Sequence, residues 1–239
     1  MSDAARDAAA AVPGVRAVLF DMDGTLVDTE TLWWLTTEKI AAGLDHRLGP
    51  ADAPEVVGRA VSDTAAHLVR VAGHGDLDAV AAALTEDFFR RVDAGAPPRP
   101  GARALLTALA ARGVPFALVS ASPRVVVDAV VGGALADVPF VFTLSADDTP
   151  RTKPHPDPYR EAAARLGLDP AQCVAVEDSP DGAASAEAAG CAVLVVPSLL
   201  EVLPSAARTF APSLEEVTPD TMSAMAQAHS SMMSRMPST

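Results

Sequence analysis

Asp21 and Asp23 stand two residues apart in "DMDGTLVDTE", immediately after the apolar run Val15 to Phe20. Gly24 behind them lets the backbone turn sharply and approach a ligand closely. In this setting Asp21 reads as a nucleophile and Asp23 as a group that handles protons; a lone pair of this kind also fits a turn with solvated acids. A calcium loop is a poor fit, because Leu26 occupies the place of the turn glycine and an apolar strand precedes the acids instead of a helix. Three further polar stretches carry similar potential. "SASP" places Ser120 at the end of an apolar run and ahead of a helix, a seat for phosphate, although serine also caps helices routinely. "RTKPHPDPY" holds Lys153, one of two lysines in the chain beside Lys39, which weakens the reading of an ordinary exposed loop lysine. "VAVEDSPDG" puts Glu177 and Asp178 side by side at a strand end, with Asp181 nearby. Adjacent carboxylates repel unless a cation or solvent intervenes, and Mg²⁺ suits such an oxygen-only set.

These stretches need elements to hold them. Val15 to Phe20, Pro115 to Ser120, Pro139 to Thr143, Cys173 to Glu177 and Cys191 to Val196 read as buried strands. Helical segments at Gly101 to Arg112, Pro123 to Val131, Asp157 to Leu166 and Asp181 to Ala189 alternate with them. Continuous apolar strands separated by amphipathic helices predict an α/β fold, a parallel sheet covered on both faces. In such a sheet chemistry gathers outside the carboxyl ends of the strands, where all four polar stretches fall. From Thr29 to about Gly95 no strand pattern appears, and the interval closes at the Pro/Gly-rich "AGAPPRPG". The expected division is therefore a core of residues 1–28 and 97–221, an inserted all-helical module of residues 29–96, and a tail of residues 222–239. The tail reads as a frayed, weakly helical end. His46, His67 and His74 lack ligand spacing and are expected on the surface of the helical module, with His229 in the tail.

The 239 residues carry 18 basic and 31 acidic side chains, a net charge of −13, which argues against a nucleic-acid partner or an anionic-membrane surface. The N-terminus has acidic residues and no long apolar core of a secretory signal, and no apolar stretch is long enough to span a bilayer. Cys173 and Cys191 lie in apolar surroundings and read as buried, reduced thiols. A cytoplasmic location and a monomer are the default expectations.

In this order the four stretches closely resemble the haloacid dehalogenase superfamily of phosphohydrolases, from about Val15 to Pro197. "DMDGTLVDTE" matches its first motif, "VSAS" the second, "KPHPDPY" the third and "VEDSPDG" the fourth. The helical insertion after the first motif looks like the cap of the branch that holds β-phosphoglucomutase and many small-metabolite phosphatases, on a three-layer Rossmann-like core. Thr152 departs from the glycine that branch usually has before the lysine. The resemblance implies that Asp21 attacks phosphorus to form an aspartyl-phosphate and that Asp23 serves as acid and then base. It also implies that Mg²⁺ is held by Asp21, the backbone carbonyl of Asp23, Asp178 and Glu177, the last directly or through water. Ser120, the amide of Ala121, Lys153 and Thr25 would hold the phosphate oxygens of a small-molecule ester. By their place in the cap, Glu30, Trp33, Trp34 and Arg59 are candidates for substrate contact, with cap packing the alternative for the tryptophans.

Neighbouring functions fit less well. The mutases carry a cap-gating histidine where Trp33 stands and a cap arginine where Val61 stands. A 2-haloacid dehalogenase does not need Asp23, and Lys39 lies too early to be the Schiff-base lysine of a phosphonoacetaldehyde hydrolase. A non-catalytic phosphate-binding protein could shed the nucleophile or a metal ligand, yet every one of these residues is present.

Overall fold

The computed structural model describes residues 15–59 and 61–233. Strands β1 (Ala17–Phe20), β2 (Phe116–Val119), β3 (Thr143–Leu144), β4 (Cys173–Glu177), β5 (Ala192–Val195) and β6 (Arg208–Phe210) form one sheet in the order β3-β2-β1-β4-β5-β6. Every neighbouring pair is parallel. β1 and β4 are the central pair, and their carboxyl ends form the switch point at which an open α/β sheet collects ligands. Helices α4 (Ala102–Ala111), α5 (Arg124–Gly132), α6 (Asp157–Arg165), α7 (Pro180–Ala189) and α8 (Pro219–Met233) cover the two faces. Alternate strand residues feed two cores. Val18, Phe20, Val174 and Val176 enter one with α4 and α5, while Leu19, Ala117, Ala175 and Val193 enter the other with α6 and α7.

Helices α1 (Thr29–Gly43), α2 (Val61–Ala72) and α3 (Leu77–Gly95) carry a third core of Ala41, Leu48, Val56, Ala65, Leu68, Val80 and Leu84. Asp28 and Asp76 cap α1 and α3 by accepting from the amides of Thr31 and Ala79. Lys39 of α1 meets the buried Asp87 of α3, which also accepts from Arg90 and Arg91. Burial opposes the Asp87 charge, yet Lys39 and Arg91 hold its carboxyl well below the usual range. Asp87→Asn should therefore lower the thermal midpoint by about 2–6 °C; an unchanged melting curve would show that this hub adds nothing. The two chain crossings into the helical module run side by side. The amide of Asp28 donates to Pro97, the amide of Arg99 donates to Leu26, and Val27 bridges Pro98 in antiparallel fashion.

Several expectations need correction. The third strand is Thr143–Leu144 rather than 139–143. Pro139 lacks an amide donor, and Val141, 57% exposed, faces away from the core, so the run pairs regularly only at its end. β6 escaped the sequence pattern because this short edge strand is mostly exposed. Residues 222–233 are not a frayed tail but most of α8. Met222 and Ala226 enter the first core, and the Nε2 of His229 lies 2.9 Å from the carbonyl of Gly190. Residues 234–239 and the N-terminal segment read as lacking a signal lie outside the described residues. His67 is buried rather than superficial, held between Asp52 and Arg70. Both cysteines are buried and free. Among the described residues no helix is long and apolar enough to cross a membrane.

Candidate active site

Asp21 is the first residue beyond β1, and its amide donates to the carbonyl of Val176 on β4, which fixes the start of the turn. Gly24 adopts φ +78°, a conformation that side chains resist. A Cβ there would lie 2.0 Å from Oδ2 of Asp178, so the backbone passes directly against that carboxylate. Amides of Leu26 and Val27 return to the carbonyl of Met22 and close the turn.

Three sequence-predicted residues, Lys153, Glu177 and Asp178, converge on this turn. Lys153 reaches across to Asp21 Oδ1 at 2.7 Å and Glu177 Oε1 at 2.6 Å, with all three side chains buried. Carboxylate oxygens of Asp21, Glu177 and Asp178 can approach to within 4.8 Å of one another. Asp21 Oδ2 and the hydroxyl of Thr25 are buried without a hydrogen-bond partner. Leaving such atoms unpaired costs about 1–3 kcal/mol each, which marks the turn as built for a ligand. An all-oxygen donor set, crowded acids and an unpaired carboxylate oxygen together fit a hard divalent cation such as Mg²⁺.

Electrostatics follow from the crowding. Burial, then Asp21 and Glu177, push Asp178 up to about 9. Burial raises Glu177 to about 7 against the opposing pull of Lys153. Burial works against the Lys153 charge, but Asp21 and Glu177 more than offset it and raise that ammonium further. Asp23 is raised by burial and then by Asp21. Its Oδ1 accepts from the Thr29 hydroxyl at 2.7 Å, and its Oδ2 accepts from Ser120 at 3.0 Å and Ser122 at 2.8 Å. Ser120 therefore lies at the site, but its hydroxyl proton is directed to Asp23. Ala121 is exposed beside it at the end of β2.

The cap candidates separate. Glu30 approaches the turn: its Cδ lies 3.4 Å from the Cβ position of Gly24, and it accepts a hydrogen bond from Ser198. Burial raises its carboxyl, with Ser198 opposing. Trp33 instead donates its indole N–H to Val56 at 2.9 Å and stands edge-on to Phe88, and Trp34 packs with it against the cap core. Arg59 is exposed and donates to the carbonyl of Pro54.

Sequence reasoning missed Thr29, Ser122 and Tyr159, whose hydroxyls grip Asp23 and Glu177. Their residue types are ordinary in caps and cores, so only the convergence of chain segments distant in sequence identifies them. It also missed Gly182, where a Cβ would lie 1.9 Å from Glu177 Oε2. Alanine favours a helix by up to about 1 kcal/mol over glycine. Gly182→Ala should nevertheless destabilise the fold and reduce turnover about 100-fold, because Glu177 and with it Lys153 must shift. A more stable, fully active variant would contradict this packing.

Residues 15–190 match the family model described as haloacid dehalogenase-like hydrolase. The chain is 35% identical over 193 residues to hexitol phosphatase A of Escherichia coli (strain K12), a match covering 76% of this chain and 82% of that protein. It is 36% identical over 194 residues to a phosphoglycolate phosphatase of Rhodospirillum rubrum, covering 76% and 79%. The crystal structure of CbbY from Rhodobacter sphaeroides in complex with phosphate superposes with a TM-score of 0.68 at 26% identity, covering 84% of this chain and 96% of that one.

Proposed function

The chain belongs to the haloacid dehalogenase-like hydrolases, and we propose that it is a Mg²⁺-dependent phosphatase acting on a small phosphorylated metabolite, with sugar and polyol phosphates the first class to test. The observation that carries this reading is the buried constellation of Asp21, Lys153, Glu177 and Asp178 at the carboxyl ends of β1 and β4, with Asp21 Oδ2 unpaired. Phosphatase names among its relatives support the reaction class.

Asp21 Oδ2 attacks phosphorus in line while Lys153 holds the other oxygen of the same carboxylate. The bond from phosphorus to the ester oxygen breaks as the aspartyl-phosphate forms. Asp23, kept protonated more readily by its burial, gives its proton to the departing alkoxide. In the second half Asp23 takes a proton from the water that attacks the acyl-phosphate, releasing inorganic phosphate and restoring Asp21. Lys153, Ser120, the amide of Ala121 and Thr25 hold the equatorial oxygens, where charge spreads in the transition state. Asp21, the Asp23 carbonyl, Glu177 and Asp178 would hold Mg²⁺. When bound, that ion offsets the repulsion between an anionic ester and an anionic nucleophile. Glu30 contacts the substrate from the cap, while Trp33 and Arg59 shape the cap around it.

Hydrolysis of an aryl phosphate should require Mg²⁺ and stop on chelation; turnover unaffected by a chelator would overturn the mechanism. A panel of sugar phosphates, polyol phosphates and nucleoside monophosphates then ranks substrates by kcat/KM. Release of only free sugar and phosphate from a hexose 1-phosphate, with its bisphosphate present and no isomeric hexose phosphate formed, excludes the mutase alternative.

A further inference from the structure

Tyr159 is the chain's single tyrosine, fully buried on α6, six residues beyond Lys153. Its ring fills space in the second core, a task phenylalanine would perform equally well. The hydroxyl is what needs explaining. It donates to Glu177 Oε1 at 2.5 Å, the same oxygen that receives Lys153 at 2.6 Å. The ring also lies under the ammonium, 5.2 Å from its centroid to Lys153 Nζ. Glu177 is restrained on its other side as well: Ser179 donates to Oε2 at 3.3 Å, and Gly182 leaves no room beyond it. One residue therefore contacts both members of the buried pair, the carboxylate through its hydroxyl and the cation through its face.

We propose that Tyr159 is a positioning residue for phosphoryl transfer, fixing Glu177 through its hydroxyl and seating Lys153 on its ring so that the lysine is already placed at Asp21 when substrate arrives. This rests on the phosphatase reading above. Without the phenol, Glu177 Oε1 would have Lys153 as its one side-chain donor, and the long 3.3 Å bond from Ser179 to Oε2 would do little to stop the carboxylate turning toward the ammonium. With the phenol on one side and Ser179 on the other, Glu177 keeps its orientation, and Lys153 is shared between Glu177 and Asp21 instead of being drawn away from the nucleophile. Tyr159 bonds to Glu177 and lies against Lys153, so its influence passes through these two neighbours.

Tyr159→Phe isolates the hydroxyl, because the ring and its packing remain. Groups that orient catalytic or metal-binding side chains typically contribute 10–100-fold, so kcat should fall about 10-fold or more with KM changed less than about threefold. Titration calorimetry on the resting enzyme should show Mg²⁺ binding weakened about 10-fold. Both measurements belong well below the variant's own melting temperature. Under those conditions a merely structural role would leave the folded enzyme with normal kcat and normal Mg²⁺ affinity, and that result overturns the proposal. In a Glu177→Gln background, Tyr159→Phe should have almost no additional effect; a full effect there would show that the hydroxyl does not act through Glu177. If the unmodified enzyme hydrolyses no phosphate ester, the phosphatase reading fails, while the calorimetric comparison still decides whether Tyr159 organises the site.

Discussion

Replacing Asp21 with asparagine should abolish hydrolysis of every phosphate ester, by at least about 10⁴-fold, the scale on which losing a covalent nucleophile registers in other hydrolases. Asparagine preserves shape and one carbonyl oxygen, so Lys153 keeps a hydrogen-bond acceptor where Oδ1 stood. It removes the unpaired anionic Oδ2, the atom assigned to the attack. Measuring kcat alongside a melting curve separates chemistry from folding. Substantial turnover in a well-folded Asp21→Asn variant would mean that water attacks phosphorus directly and that Asp21 is not the nucleophile. Trapping should distinguish the variants too: acid-quenched wild-type enzyme should carry acid-stable, base-labile acyl-phosphate, and the asparagine variant none.

The second large effect concerns stability and its dependence on pH. In metal-free protein, Asp178 is pushed up to about 9 and Glu177 to about 7, burial being the first cause for each. Aspartate in an unfolded chain titrates near 3.9. Between that value and the folded one, the native state holds a proton that the unfolded state has already released. Stability consequently falls as pH rises from about 4 toward 9. Asp23, also raised, acts in the same direction. Lys153 does not cancel this trend, because the stability from its raised pKa is fully present below the unfolded lysine value near 10.4. The depressed carboxyls of Asp87 and Asp148 lose their contribution only as pH falls below about 4, outside the window. A chelator-treated sample should therefore melt roughly 5–10 °C lower at pH 8.5 than at pH 5. Mg²⁺ should restore most of this loss at pH 8.5 and add little at pH 5, where protons compete for the same oxygens. A metal-free melting temperature that stays flat over this range would contradict the buried, mutually repelling arrangement.

The legible part of the site lies where polar residues interrupt apolar runs. Asp21 follows "VRAVLF", Glu177 ends "CVAVE", and Lys153 stands out in a chain with one other lysine. Strand ends in a parallel sheet bring such residues together whatever the loop details, so their convergence follows from topology. Tyr159 was not legible in the same way. A tyrosine at core spacing on a helix predicts burial, but the direction of its hydroxyl depends on how α6 sits against β4. Thr29 and Ser122 look like helix-start residues until the turn after β1 brings Asp23 between them. Trp33 carries two readings, substrate contact by its proximity to the first motif and cap packing, and Val56 and Phe88 engage its N–H and its ring face. Alternating Met, Ala and Ser in α8 gave a weak apolar stripe, and the helix is held largely by the few residues that reach the core and by His229 bonding to Gly190.

The paired crossings between the two bodies have a mechanical consequence. A module tied to a platform by one flexible strand can swivel in any direction, whereas two antiparallel tethers pinned to each other restrict its freedom. Here Asp28 to Pro97, Arg99 to Leu26 and the Val27–Pro98 bridge pin the tethers together directly behind the acidic turn. Twisting about the long axis of the ribbon would shear those bonds, while bending across its width would leave them intact. The ribbon thus resists twist of the helical body more than bending, and Val92 of α3, buried in the first core, holds that body at a second point. Because Asp23 itself bridges to Val27 at the root of that ribbon, bending strain in the tethers would be felt first at the residue assigned to proton transfer.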